Sequence, residues 1–225
     1  MGVVDAGAHV VDADGKTLGR SAAYAGRALH WALHLGCPIV HPAVMLRRAL
    51  LPPGGYPATD TRMEDYALWL DLLPRVRFEH LAEPLIVYRR HAQAVGASRG
   101  RRLEGPRAWA ERVGPRVGMA PGELTAEVAR AWLNPRCVRM DAERTDPAAL
   151  AELARRLDPR ALALGAHVPA WKPAALARCQ RVYARRALAL LWHGRGDRRL
   201  VRHVGPVAAA ATASALAGLG GPRPA

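Results

Sequence analysis

The spacing of apolar and polar positions changes character near residue 98. Before that point, short apolar runs are broken by turn residues. Val3-Val4 and His9-Val10-Val11 flank small residues, and the chain then meets Asp12-Ala13-Asp14-Gly15-Lys16 before Leu18, which predicts two strands or strand edges joined by a hairpin loop. Ala28, Trp31, Ala32 and Leu35 recur at helical spacing within 21–35, so a short helix ended by Gly36 is expected. The run from Pro38 to Leu46 leans towards β-structure, with prolines suited to an edge or a turn. A loop over 52–57 precedes a helix over 62–73. Two short strands, 75–79 and 85–88, are expected to join through Glu83-Pro84.

Beyond Ser98 the pattern becomes helical and is punctuated by proline. The Gly- and Arg-rich stretch 96–105 marks a boundary. Helices are predicted over 123–133, 147–157 and 173–192, the last carrying a continuous stripe of Ala175, Leu176, Cys179, Val182, Tyr183, Ala187 and Leu190. No internal repeat is visible. The expected organisation is an α/β portion over 1–98, a basic helical region over 99–203, and an Ala/Gly/Pro-rich tail over 204–225 that is disordered or a weak helix. The tail from Val204 to Leu219 is apolar but short and interrupted by Gly205 and Pro206, a poor match to a membrane span.

Half of the 225 residues are apolar, enough for a core, which excludes a chain disordered throughout. The net charge of +14 is unevenly placed: residues 1–100 carry 11 Lys+Arg against 9 Asp+Glu, and residues 101–225 carry 22 against 10, a net of +12. Lys16 and Lys172 are the only lysines, so the excess is arginine, in keeping with a G+C-rich coding sequence. A positive surface nevertheless attracts phosphates and anionic lipid. Cys37, Cys137 and Cys179 form no CxxC pair, which argues against a zinc site or disulfide framework and fits a reducing compartment. The first residues have no basic segment followed by an apolar one, so no secretory signal is read.

Glu64 and Asp65 stand where the helix over 62–73 begins. Thr61 followed three residues later by Glu64 matches a capping box, which accounts for Glu64. On a helical wheel Tyr66, Trp69, Leu70 and Leu73 define the buried face, with Asp65 on its flank beside Trp69. The partial positive charge of a helix N-terminus favours a carboxylate there, so Asp65 is available as a general base. A solvated acid that only stabilises the helix start is the other reading. At 88–91, Tyr-Arg-Arg-His follows a strand and gathers groups suited to phosphate oxygens or a divalent metal, unless it is simply a solvated basic strand end. His41 either lines a pocket or packs as an ordinary histidine. Arg47 and Arg48 are most simply surface residues.

Four blocks in order, Cys37 to Arg48, Gly54-Gly55-Tyr56, Glu64-Asp65-Tyr66-Ala67-Leu68-Trp69-Leu70 and Glu83 to His91, resemble the C-terminal part of the catalytic domain of family 2 glycosyltransferases. The resemblance implies an incomplete glycosyltransferase-A-like mixed sheet with helices, followed by a mostly helical C-terminal region. It implies transfer of a sugar from a nucleotide-sugar donor to an acceptor hydroxyl on a glycan or lipid-linked acceptor, in cell-surface glycan synthesis and mostly with inversion. Asp65 is then the base and Glu64 its companion. Arg89, Arg90 and His41 serve the donor and its diphosphate, and His91 approaches the metal, Mg or Mn in the complete enzyme.

Asp12-Ala13-Asp14 fits an Asp-x-Asp metal motif by letters, but the following Gly-Lys makes it a turn. The expectation is therefore a chain that begins inside the catalytic domain, lacks the upstream nucleotide-binding half, and binds nucleotide sugar weakly on its own. A cytoplasmic location, peripheral at the inner face of the membrane, goes with this reading. The alternative is an inactive remnant or a basic module for polyanion, nucleic acid or membrane surface. Nucleic acid is disfavoured, because the arginines are scattered and no zinc-finger or RNP-type signature is present.

Overall fold

A computed structural model describes residues 2–57, 63–91, 104–139 and 143–217. The chain is mixed α/β and divides into two compact units. The first comprises Met1–Gly105 with Leu164–Ala170, and the second Pro106–Ala163 with Trp171–Ala225.

The first unit is built on one central strand. β1 (Val3–Val11) pairs in parallel with β4 (Phe78–Arg89) along its whole length, and antiparallel with β3 (Val44–Leu46) at Val3–Asp5 and with β2 (Thr17–Arg20) at His9–Val11. A strand has two edges, so β2 and β3 share one edge of β1 and β4 takes the other. Ala6, Gly7 and Ala8 at the middle of β1 are buried, as a strand in this position requires. The turn into β2 is closed by Asp12, whose Oδ1 accepts from the backbone N–H of Asp14 (3.0 Å) and Lys16 (2.8 Å), with Gly15 at φ 87°. The Asp12 carboxylate thus serves its own turn.

Two helices pack into this unit. α1 (Arg27–Leu33) is shorter than the expected 21–35, and α2 (Glu64–Leu72) lies within the expected 62–73. The Tyr66 hydroxyl donates to the Leu33 carbonyl (2.5 Å), tying α2 to the end of α1, and Trp31, Leu33, Trp69, Leu70 and Phe78 fill the core. Helix α2 starts with Met63 in the capping position and Glu64 as its first helical residue, so Glu64 does not hold the third helical position that a capping box requires; Thr61 lies outside the described residues.

Two further expectations change. Residues 38–46 give a 3₁₀ turn, His41–Ala43, and only then the short β3. The two strands expected around Glu83-Pro84 are one strand, β4, whose register against β1 shifts between Ala6 and Ala8. Pro84 faces Gly7, and the shift absorbs the residues that a proline would otherwise break off.

The second unit is helical: α3 (Glu104–Val113), α4 (Ala126–Leu133), α5 (Pro147–Arg156), α6 (Pro173–His193) and α7 (Arg198–Ala217). Thr125 caps α4 and Asp146 caps α5. Trp109, Trp132, Leu150 and Leu153 are fully buried, and the Tyr183 hydroxyl donates to the Ala154 carbonyl (2.7 Å). Arg156 donates to the carbonyls of Val117 and Gly118 (2.9 Å each), where Gly118 has φ 75° and leaves no room for a Cβ beside the guanidinium. Helix α7 runs through Gly205 and Pro206, so much of the expected tail is helical; residues 218–225 lie outside the described residues. It is the one described helix long and apolar enough to cross a membrane, and a third of its most apolar window is buried.

Candidate functional site

Three sequence blocks separated along the chain meet beside α2. His41, in the 3₁₀ turn before β3, shares a hydrogen bond with the Tyr56 hydroxyl (2.9 Å), and their rings stand edge to face with centroids 5.5 Å apart. The His41 ring also lies 6.1 Å from that of Trp69, which in turn packs edge-on against Phe78 at 6.3 Å. Trp69 is wholly buried, and its indole N–H finds no acceptor among the described residues. Asp65 precedes Trp69 by one helical turn on the same flank of α2. It is half-buried, and its Oδ1 accepts from the Tyr66 backbone N–H (2.7 Å), while Oδ2 has no hydrogen bond among the described residues. Glu64 is exposed.

The basic end of β4 is placed elsewhere in the unit. Arg89 donates from Nη1 to the Ala13 carbonyl in the β1–β2 turn (2.6 Å), and the Arg90 backbone N–H continues the ladder to Val11 (2.8 Å). The side chains of Arg89, Arg90 and His91 are exposed. No contact among the described residues links them to the His41–Tyr56–Trp69 group. No group of three or more His, Cys, Asp or Glu side chains among the described residues is arranged to hold a metal ion. His91, a lone exposed imidazole after two arginines, does not by itself fit a hard cation that takes oxygen ligands.

Sequence reasoning missed a buried Asp–His hydrogen-bonded pair. Asp5 on β1 and His80 on β4 are register partners, with Oδ1 and Nδ1 3.1 Å apart and both side chains nearly inaccessible. Burial pushes the Asp5 carboxyl up from its ordinary value, against the opposing pull of His80. Seventy-five residues separate the two, so no spacing rule could pair them; the signal was an Asp within an apolar strand run. His30 is also buried, with its ring edge-on to Phe78 (5.6 Å) and to His167 (5.4 Å). Burial, then the charges of His167, His34 and Arg27, lower its pKa to about 4.

In the second unit a cavity of about 430 Å³ is lined by Val138, Thr145, His193, Asp197 and Arg198 among others. None of the residues singled out by sequence lines it. The Asp197 carboxylate already satisfies the first N–H groups of α7, accepting from Arg199 (2.8 Å) and Leu200 (3.3 Å).

The fold and site define a mixed α/β unit carrying a half-buried helix-start carboxylate next to an aromatic–histidine group, followed by a basic helical unit. Comparison of the chain with protein-family models, with curated proteins and with solved structures finds no match in any of the three.

Proposed function

We propose that the first unit carries the acceptor side of a nucleotide-sugar-dependent glycosyltransferase resembling family 2, with Asp65 as the base. The observation that carries this reading is the meeting of His41, Tyr56 and Trp69, one helical turn along α2 from Asp65, which draws three of the four resembling blocks to one place. In the proposed step, the free Oδ2 of Asp65 takes the proton of an acceptor hydroxyl. That oxygen forms a bond to the anomeric carbon from the face opposite the diphosphate, whose bond to the carbon breaks as nucleoside diphosphate leaves. The configuration inverts in this single displacement. Arg89 and Arg90 have N–H groups suited to phosphate oxygens, but β4 carries them to the end opposite Phe78 and Trp69, so they are given no part in this step. The described residues do not compose a divalent-cation site, so no step is routed through a metal.

A second observation supports a larger catalytic domain. Among the described residues β4 is an edge strand that leaves Leu81, Leu85 and Val87 in solvent, and Met45 on β3 is exposed as well. Exposed apolar side chains on an unpaired edge suit further strands or helices laid against it. The reading carries with it a cytoplasmic location, peripheral at the inner face of the membrane, where nucleotide sugars meet lipid-linked acceptors. The incomplete fold, the donor and the glycan acceptor remain parts of the same proposal.

The test expresses the gene with its native upstream DNA and measures transfer from a panel of nucleotide sugars. Asp65→Asn should lower turnover by roughly 10²–10⁴-fold with little change in donor affinity. Unchanged turnover in that variant would remove Asp65 from the chemistry, and absence of transfer with every donor would remove the transferase reading.

A further inference from the structure

The second unit presents a surface at the turn between α6 and α7 that the transferase reading does not use. Of the six tryptophans, Trp31, Trp69, Trp109 and Trp132 are buried and Trp171 is half-buried, whereas Trp192 at the end of α6 is 66% exposed. Leu188, one turn earlier on the same stripe, and Val201, in the first turn of α7, are also exposed. Arg195, Arg198, Arg199 and Arg202 are exposed around them. Within 192–202 the only acid is Asp197, already engaged as the cap of α7. The Arg195 guanidinium lies 4.6 Å over the Trp192 ring and donates to the Trp192 carbonyl (3.0 Å), so the indole and a cation are held side by side.

We propose that this α6–α7 turn docks the second unit on an anionic lipid bilayer, with Trp192, Leu188 and Val201 entering the headgroup boundary and the four arginines binding lipid phosphates. An indole with one polar edge prefers the membrane–water interface. Arginines extend their charged ends to phosphates while their stems stay in apolar surroundings. The helix behind the turn agrees: from His203 to Ala217, α7 has no Asp, Glu, Lys or Arg, and its outer positions are Pro206, Ala209, Ala210, Ala213 and Leu216. Its other face, with Leu200, Val204, Val207, Ala208, Ala211 and Ala215, is buried within the unit, so the helix lies against a bilayer rather than crossing it. A nucleic acid would use the arginines but would gain nothing from the exposed aliphatic side chains, and for that reason the bilayer is the partner of choice.

The experiment sediments the full chain with vesicles of phosphatidylglycerol and phosphatidylcholine, and with phosphatidylcholine alone, at physiological salt. Binding should be confined to the anionic vesicles. Tryptophan emission should shift to the blue and be quenched by brominated lipid, and Trp192→Ala should abolish both changes. The paired exchange Arg198→Gln with Arg202→Gln should weaken binding by about 30-fold. All three substituted side chains are exposed, and the far-UV circular dichroism melt of each variant should match the parent. Equal partition into both vesicle types, or quenching that survives in Trp192→Ala, overturns the proposal. Displacement of the vesicles by duplex DNA at equal phosphate concentration overturns it in favour of nucleic acid. None of these readouts depends on sugar transfer, so failure here leaves the role of Asp65 standing, and the reverse.

Discussion

The two units treat ionisable groups in opposite ways. The first buries Asp5, His30 and His34, whereas in the second Thr145, Gln180 and the Tyr183 phenol are buried, and burial pushes the phenol further from ionising. The second unit sends its arginines to the surface or onto carbonyl oxygens, as Arg156 does at Val117 and Gly118 and Arg186 at Trp132. A buried group that must change its protonation state couples stability to pH. An exposed cation couples the molecule to ionic strength and to anionic partners. The contrast therefore ties the stability of the first unit to pH and the surface of the second to ionic strength.

The strongest way to break this contrast is to remove the core of one unit and ask whether the other keeps its signature. Trp132→Ala should cost the second unit about 3–5 kcal/mol. A urea titration followed by circular dichroism should show that loss, while the acid response of the first unit stays in place. Loss of both together would mean the units do not unfold separately.

The acid response itself is next in size. The folded-state pKa of His30, about 4, lies below its ordinary 6.5, so the unfolded chain takes up the proton first. Stability is therefore complete above pH 6.5 and declines as the pH falls towards 4, by on the order of 3 kcal/mol. His167, His34 and Arg27 all face His30 with charge of the same sign, and the Phe78 ring edge adds no compensating acceptor. Asp5 works in the other direction: its raised pKa gives a stabilising contribution that is fully present below 3.8 and is lost as the pH rises through the folded-state value. His30→Leu should flatten the urea midpoint between pH 6.5 and 4. An unaltered slope would shift the effect to the neighbouring histidines.

A smaller effect sharpens the other side. Arg156→Met removes both carbonyl bonds and the contact with Glu152 (2.7 Å), and should cost the second unit about 1–2 kcal/mol without any change in the pH profile of the first. Hydrogen exchange at Gly118 and Met119 would read the loosening directly.

Much of the frame could be read from the sequence because it rests on local rules. The Asp-Gly turn after β1, the stop at Gly36, and helices α2, α5 and α6 follow from periodicity, capping and turn chemistry acting within a few residues. The misreadings share a cause, which is tertiary context. Pro84 looks like a strand break until Gly7 opposite it and an unpaired outer edge make it tolerable. Pro206 interrupts the apolar tail by sequence, yet it lies within α7 and is exposed, so the carbonyl deprived of its donor can turn to water. At the site, Asp65 could be singled out by its place on α2, and His41 by its block. The partnership of His41 with Tyr56, and the Asp5–His80 pair, depend on the sheet bringing distant residues into register.

The first unit includes Leu164–Ala170, although α3, α4 and α5 of the second unit come before that segment. During synthesis at about 5–20 residues per second, residues 164–170 leave the ribosome several seconds after Gly105. Until they arrive, His30 lacks the His167 ring that helps to enclose it, and the nascent first unit remains an unfinished fold. A ribosome stalled between Gly105 and Leu164 should hold a nascent chain whose His30 titrates above its value in the finished fold, because the charge and enclosure supplied by His167 are missing.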